Sequence, residues 1–239
     1  MRGAIFDDLR TRMGPGLACF APDMPGHASA AALPPTLETG AQVVADLIAA
    51  KGLRDVLLVG WSMGAAIAWT YARDHGTGAL AGLVTVDMAP RMACDHDWPH
   101  GLIGQSAADV SASTRRFETD WQDGAEAIAA TMFADKHGAP GFSRSQALAQ
   151  ILSNDPDRML AIWRAMTEMD LRGVIGGIDI AYLATCGAKS RVYPASGAAW
   201  LAAQAPLGRS HMFAQSGHSP HLEEPAEFAR VIREFAGAL

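Results

Sequence analysis

Apolar positions along this chain fall into two rhythms. Short, nearly unbroken Val, Leu and Ala runs alternate with longer stretches in which apolar residues recur every three or four positions. DVLLVG (55–60) has the look of a strand buried on both faces of a parallel sheet. LAGLVTVDM (80–88), IAYLATCGA (180–188) and SHMFAQ (210–215) read as further strands. GLACFAPD (16–23), closed by Pro22, reads as a buried strand too, the first one that can be placed.

The second rhythm predicts helices. TLETGAQVVADLIAAKG (36–52) puts Leu37, Val44, Leu47 and Ile48 on one face and ends at Gly52. SMGAAIAWTYARDHG (62–76), SGAAWLAAQAP (196–206) and EPAEFARVIREFAGAL (224–239) follow the strands, and FDDLRTRMG (6–14) precedes the first. Strand, helix, strand, helix, strand points to a doubly wound, mostly parallel α/β sheet. From Arg91 to about Gly173 the pattern changes: 117–135, 144–154 and 157–170 have helical periodicity and no strands. The expected organisation is an α/β core from residues 1–90 and 174–239 with a helical cap insertion at 91–173.

Composition narrows the partners. The chain has 239 residues, 49% hydrophobic and 18% charged, enough for a sizeable core. The formal net charge of −6 argues against nucleic acid or an anionic membrane surface, since both reward clustered Lys and Arg. No apolar run is long enough to span a bilayer, and acidic residues from Asp7 onward break any secretory-type leader. Cys19, Cys94 and Cys186 are too few and scattered for a disulfide framework or a zinc site, so a reducing cytoplasm is expected. No metal and no organic cofactor is implied.

The chemistry starts at Gly60-Trp61-Ser62-Met63-Gly64. This G-x-S-x-G lies after a predicted strand and before a predicted helix, the setting in which a serine is lifted out on a strained turn as a nucleophile. Flanking glycines are expected because side chains there would meet neighbouring backbone. The Met63 amide, at the helix start, is placed to meet a developing oxyanion. The competing reading is an ordinary N-cap serine. A nucleophilic serine needs a base. His218, in QSGHSPHLEEPAEF between the last strand and last helix, sits where parallel sheets build sites. His211 and His221 read as structural. G-x-G-x-x-G and the phosphate-binding P-loop pattern are both absent, so a nucleotide is not the expected ligand.

APDMPGHASA (21–30), VGWSMGA (59–65), VTVDMAP (84–90) and SGHSPHLEEPAEF (216–228), in that order, resemble the α/β-hydrolase fold family, in particular small esterase-like members with a helical cap. The resemblance implies Ser62 as nucleophile, His218 as base and Met63 as an oxyanion donor. Two departures stand out. Many relatives carry the third member of the triad in a G-x-x-D pattern, where this chain has Gly187-Ala188-Lys189-Ser190. A second solution in the family puts an acid at the end of the strand after the elbow helix, and Asp87 occupies that place. Asp179 and Asp170 remain weaker alternatives. Relatives also begin with two or three further strands and a His-Gly loop with a second oxyanion amide, for which this chain shows no counterpart. The resemblance therefore predicts a longer gene product.

The expected activity is hydrolysis of carboxylic esters or thioesters of small to medium acyl groups through an acyl-enzyme, with a small-molecule substrate. Trp61, Trp121, Phe133 and Trp163 are the expected substrate-binding residues, with Trp98, Phe117 and Met166 as further apolar candidates; packing inside the cap is the competing role for each. Lactonase or haloperoxidase-like perhydrolase chemistry uses the same triad and stays open, as does a weakly active or non-catalytic binding protein. Haloalkane dehalogenation is disfavoured, because it calls for aspartate where Ser62 stands.

Overall fold

Four of the predicted apolar runs form one parallel sheet in the computed structural model, which describes residues 1–239. The strands of the chain are β1 (Val56–Trp61), β2 (Leu80–Val86), β3 (Gly138–Ala139), β4 (Phe142–Ser143), β5 (Ala181–Gly187) and β6 (Gly208–Phe213). The main sheet has the order β1-β2-β5-β6, with β1 and β6 at its edges. All three pairings are parallel.

The helices are α1 (Asp7–Met13), α2 (Leu37–Ala50), α3 (Met63–His75), α4 (Ala107–Thr119), α5 (Trp121–Thr131), α6 (Arg144–Leu152), α7 (Pro156–Glu168), α8 (Arg172–Ile175), α9 (Ala195–Gln204), α10 (Pro220–Glu223) and α11 (Pro225–Ala236). Both faces of the sheet are covered. On one, Leu83 belongs to a buried cluster that also holds Val44 and Ile48 of α2, Ile67 and Trp69 of α3, and Leu201 of α9. On the other, Val84 and Val86 pack with Leu9 of α1 and Phe228 and Ile232 of α11. Neighbouring residues of β2 thus serve opposite layers, as a pleated strand requires. A buried chain of hydroxyls knits the first layer to the sheet: the Trp69 indole donates to the Tyr182 hydroxyl (3.2 Å), which lies 2.7 Å from the Thr85 hydroxyl.

The segment between β2 and β5 holds α4 to α8. Its helix starts are written locally: Ser106 with Asp109, and Ser143 with Gln146, form reciprocal capping boxes. The single helix expected over 117–135 is two helices. Asp120 ends α4 and its carboxylate accepts from the Asp123 amide, starting α5. None of the three segments read as helical contains a strand, but between the first two of them β3 and β4 form a two-residue antiparallel ladder.

A larger correction concerns 16–23. That segment forms no strand, and Leu17 and Phe20 are 42% and 44% exposed. A strand exists only through a partner's hydrogen bonds. The sheet ends at β1, and 16–23 pairs with nothing. No helix of the structure is long and apolar enough to cross a membrane.

Candidate active site

The turn after β1 holds Ser62 at φ 52°, ψ −122°, a left-handed conformation that costs on the order of 1–3 kcal/mol for a residue with a side chain. Main-chain bonds hold it: the Ser62 amide donates to the Val86 carbonyl (3.0 Å), and its carbonyl accepts from the amides of Ala65 (2.8 Å) and Ala66 (3.4 Å). Met63 opens α3, so its amide is among those that helix geometry leaves without an intrahelical partner. Of the two glycines around the serine, only Gly60 is forced by space. A Cβ there would lie 2.3 Å from the Gly64 carbonyl oxygen, whereas a Cβ on Gly64 meets nothing within 4 Å. The expectation that both glycines relieve a clash is corrected for Gly64.

Asp87 follows β2, beside this turn, and is also left-handed, at φ 47°. It is 2% exposed, and its Oδ2 lies 2.7 Å from Nδ1 of His218, itself 8% exposed. The Asp87 amide donates to the Thr185 carbonyl (2.8 Å), which ties the strand end to β5. Oδ1 is buried without a partner. The other candidate acids lie elsewhere. Asp179 accepts from the Thr77 hydroxyl (2.6 Å), ahead of β5 and β2 and so at the opposite end of the strands. Asp170 pairs with the Arg172 guanidinium (2.8 Å).

Ser190, where the family pattern has its acid, reaches the same carboxylate: its Oγ donates to Asp87 Oδ2 at 2.7 Å. It also accepts from the amides of Val192 (3.2 Å) and Tyr193 (3.3 Å).

The His218 loop is fixed from several sides. The Trp61 indole nitrogen donates to the His218 carbonyl at 2.7 Å. Glu223 accepts from the amides of Gly217 (2.8 Å), Ser219 (3.1 Å) and Ala134 (2.6 Å). Burial raises its proton affinity above the usual glutamate range, against the pull of those amides and of His218. Glu224 accepts from the Gln215 amide (2.9 Å) and the Ser216 hydroxyl (2.6 Å). The end of β5 abuts this loop so closely that a Cβ on Gly187 would lie 2.0 Å from the Gly217 carbonyl oxygen. Glu223 and Glu224 escape the sequence reading, in which Ser190 figures only as the residue standing where the family pattern has its acid. The acidic pair before Pro225 in HLEEP was the available signal for the two glutamates.

His221 is buried with neither ring nitrogen hydrogen-bonded, stacked on Phe6 (4.8 Å) and close to Trp61 (4.6 Å). Burial, with His218 nearby, pushes its pKa down to about 3. It is a neutral packing group, as expected. His211 lies within β6 against Phe213.

A cavity of about 1160 Å³ reaches both Ser62 and His218 and is walled mostly by hydrophobic side chains. Met63, Trp61, Trp121 and Trp163 line it, as do Phe117 and Met166. Phe133 does not: it is 1% exposed and packs edge-on against Phe142. Its expected role in substrate binding is corrected to core filling. Trp98 likewise is buried away from the cavity, edge-on to Trp200. Trp163 donates to the Thr114 hydroxyl (2.8 Å), whereas the Trp121 indole nitrogen is buried without a partner.

A model of the alpha/beta hydrolase family matches residues 2–231. A pimeloyl-[acyl-carrier protein] methyl ester esterase from Chromobacterium violaceum is 26% identical over 234 residues, covering 98% of this chain and 89% of that protein. The enzyme of that name from Vibrio cholerae is 27% identical over 242 residues, covering 99% of this chain and 90% of its own. Among solved structures, an esterase from Exiguobacterium antarcticum superposes with a TM-score of 0.89 at 22% identity, over 99% of this chain and 88% of that one. That likeness speaks for the fold.

Proposed function

Since the chain belongs to the alpha/beta hydrolase family, we propose that it hydrolyses carboxylic esters through Ser62, His218 and Asp87. The observation that carries this reading is the 2.7 Å contact between Asp87 Oδ2 and His218 Nδ1, buried beside the strained serine turn. With Nδ1–H held by the carboxylate, Nε2 is the free nitrogen and acts as the base.

In the proposed reaction Ser62 Oγ attacks the ester carbonyl carbon while His218 takes its proton. The C–O bond to the alcohol breaks as His218 returns that proton to the leaving oxygen. Water, deprotonated by His218, then attacks the acyl-enzyme, releasing the acid and regenerating Ser62. The Met63 amide, at the positive end of α3, meets the oxyanion in both halves. Trp121, Trp163, Phe117 and Met166 offer an apolar wall for the acyl chain.

The curated relatives are named for a methyl ester on an acyl chain carried by a protein. A methyl ester of a medium-length acyl group is accordingly the substrate class we assign. The test is hydrolysis of p-nitrophenyl and methyl esters of graded chain length by the wild type and by Ser62→Ala. Turnover of medium-chain esters, lost in the variant, is the expected result. Equal rates for the two proteins would refute the reading.

A further inference from the structure

Asp87 Oδ2 has two donors, not one. His218 Nδ1 and Ser190 Oγ both lie 2.7 Å from it. The carboxylate's other oxygen is buried and unpartnered, and its one ion-pair partner is His218. The remaining titratable groups near it are the Cys186 thiol on β5 and the Tyr193 phenol in the loop beyond Ser190. Burial first, and the Asp87 charge second, keep both protonated. A buried carboxylate with so few donors depends on each of them for its orientation.

Ser190 itself does not wander. Its Oγ accepts from the Val192 and Tyr193 amides, and its own amide donates to the Gly187 carbonyl at 3.1 Å. With both lone pairs used by amides, the hydroxyl hydrogen is free to point at Asp87.

We propose that Ser190 is a positioning residue for the reaction: its hydroxyl locks the Asp87 carboxylate in the orientation that aligns His218. The inference rests on the catalytic reading above and adds a residue to it. The Ser190 hydroxyl makes no hydrogen bond to His218, and the residue does not line the cavity. It acts through Asp87, so its removal acts on turnover and not on substrate affinity.

Ser190→Val and Ser190→Thr differ in the hydroxyl at nearly equal volume, and both are measured beside Ser62→Ala and Asp87→Asn on a p-nitrophenyl ester. Loss of a hydrogen bond to a charged group predicts that Ser190→Val lowers kcat about ten- to a hundredfold with KM near wild type. Ser190→Thr stays close to wild type in both respects. Thermal melts establish that the variants are folded. Wild-type kcat in Ser190→Val, or a Ser190→Thr variant as slow as Ser190→Val, with Ser62→Ala and Asp87→Asn inactive, overturns the role of Ser190 alone. Activity that survives in Ser62→Ala and Asp87→Asn overturns the catalytic reading, and this inference with it.

Discussion

The indole nitrogen of Trp61 donates a 2.7 Å hydrogen bond to the main-chain carbonyl of His218. The residue before the serine therefore grips the loop that carries the histidine, and the two rings sit 5.6 Å apart. Trp61 does line the cavity, but its polar atom is committed to this loop. Trp61→Phe keeps an aromatic ring and removes the donor. The expected outcome is a roughly tenfold fall in kcat with little change in KM, and a stability loss of about 1 kcal/mol. Steady-state kinetics and a denaturant titration measure both.

The two elbow glycines separate cleanly. Gly60→Ala drives a methyl group into the first turn of α3, against backbone that cannot step aside. It is expected to lose at least 1–3 kcal/mol, roughly the cost of overpacking a closed site. Gly64→Ala enters open space inside a helix and is expected to melt no lower than wild type, since alanine is the better helix former by about 1 kcal/mol. Thermal melts of the two variants make the comparison.

Asp87→Asn preserves shape and removes the charge that favours the imidazolium. A loss of about 10⁴ in kcat is expected. Asp179→Asn, at the far end of the strands, is expected to keep wild-type turnover. Initial ester-hydrolysis rates decide between the two carboxylates. Full activity in Asp87→Asn would remove it from the proposed triad.

His221 makes stability sensitive to acid. Its pKa is about 3 in the folded protein against an ordinary 6.5, because burial opposes the charge. Below pH 6.5 the unfolded chain takes up a proton that the folded chain refuses, so stability falls as pH falls, by roughly 1.4 kcal/mol per pH unit from this group. The loss continues until the pH nears 3. His27, buried and lowered to about 4, acts in the same direction. His221→Phe keeps the ring packing against Phe6 and Trp61 and removes two unpartnered nitrogens. Between pH 6.5 and 4.5 the variant is expected to lose about 2–3 kcal/mol less than wild type in urea titrations.

Local signals made much of this molecule legible. The Val/Leu runs became β1, β2 and β5 because burial on both faces leaves an unbroken apolar stretch. Ser62 and His218 each follow a strand, so motif and strand pattern singled them out, while Asp87 at the end of β2 came from the resemblance to the hydrolase family. GLACFAPD misled because apolarity records burial and says nothing of a partner. Phe133 misled for a related reason: a cavity wall and a packed interior both ask for an aromatic side chain. The bond of Ser190 to Asp87 is long-range, and Glu223 joins two local amides to a distant one. Ser190 meets Asp87 across 103 positions, and Glu223 meets Ala134 across 89. No window of sequence contains both ends of either bond.

The serine turn sits at the tip of β1, and β1 is hydrogen-bonded on one flank only. Ser62 donates toward β2, so by alternation the amides of Leu58 and Gly60 face β2, while those of Leu57, Val59 and Trp61 face away from it. In deuterium exchange the second set should label first. A strand held along one side frays at a lower free energy than the sheet as a whole melts. Heating should therefore silence the enzyme by local fraying around Ser62 while the central strands β2 and β5 are still intact, so that thermal inactivation runs ahead of the loss of secondary structure.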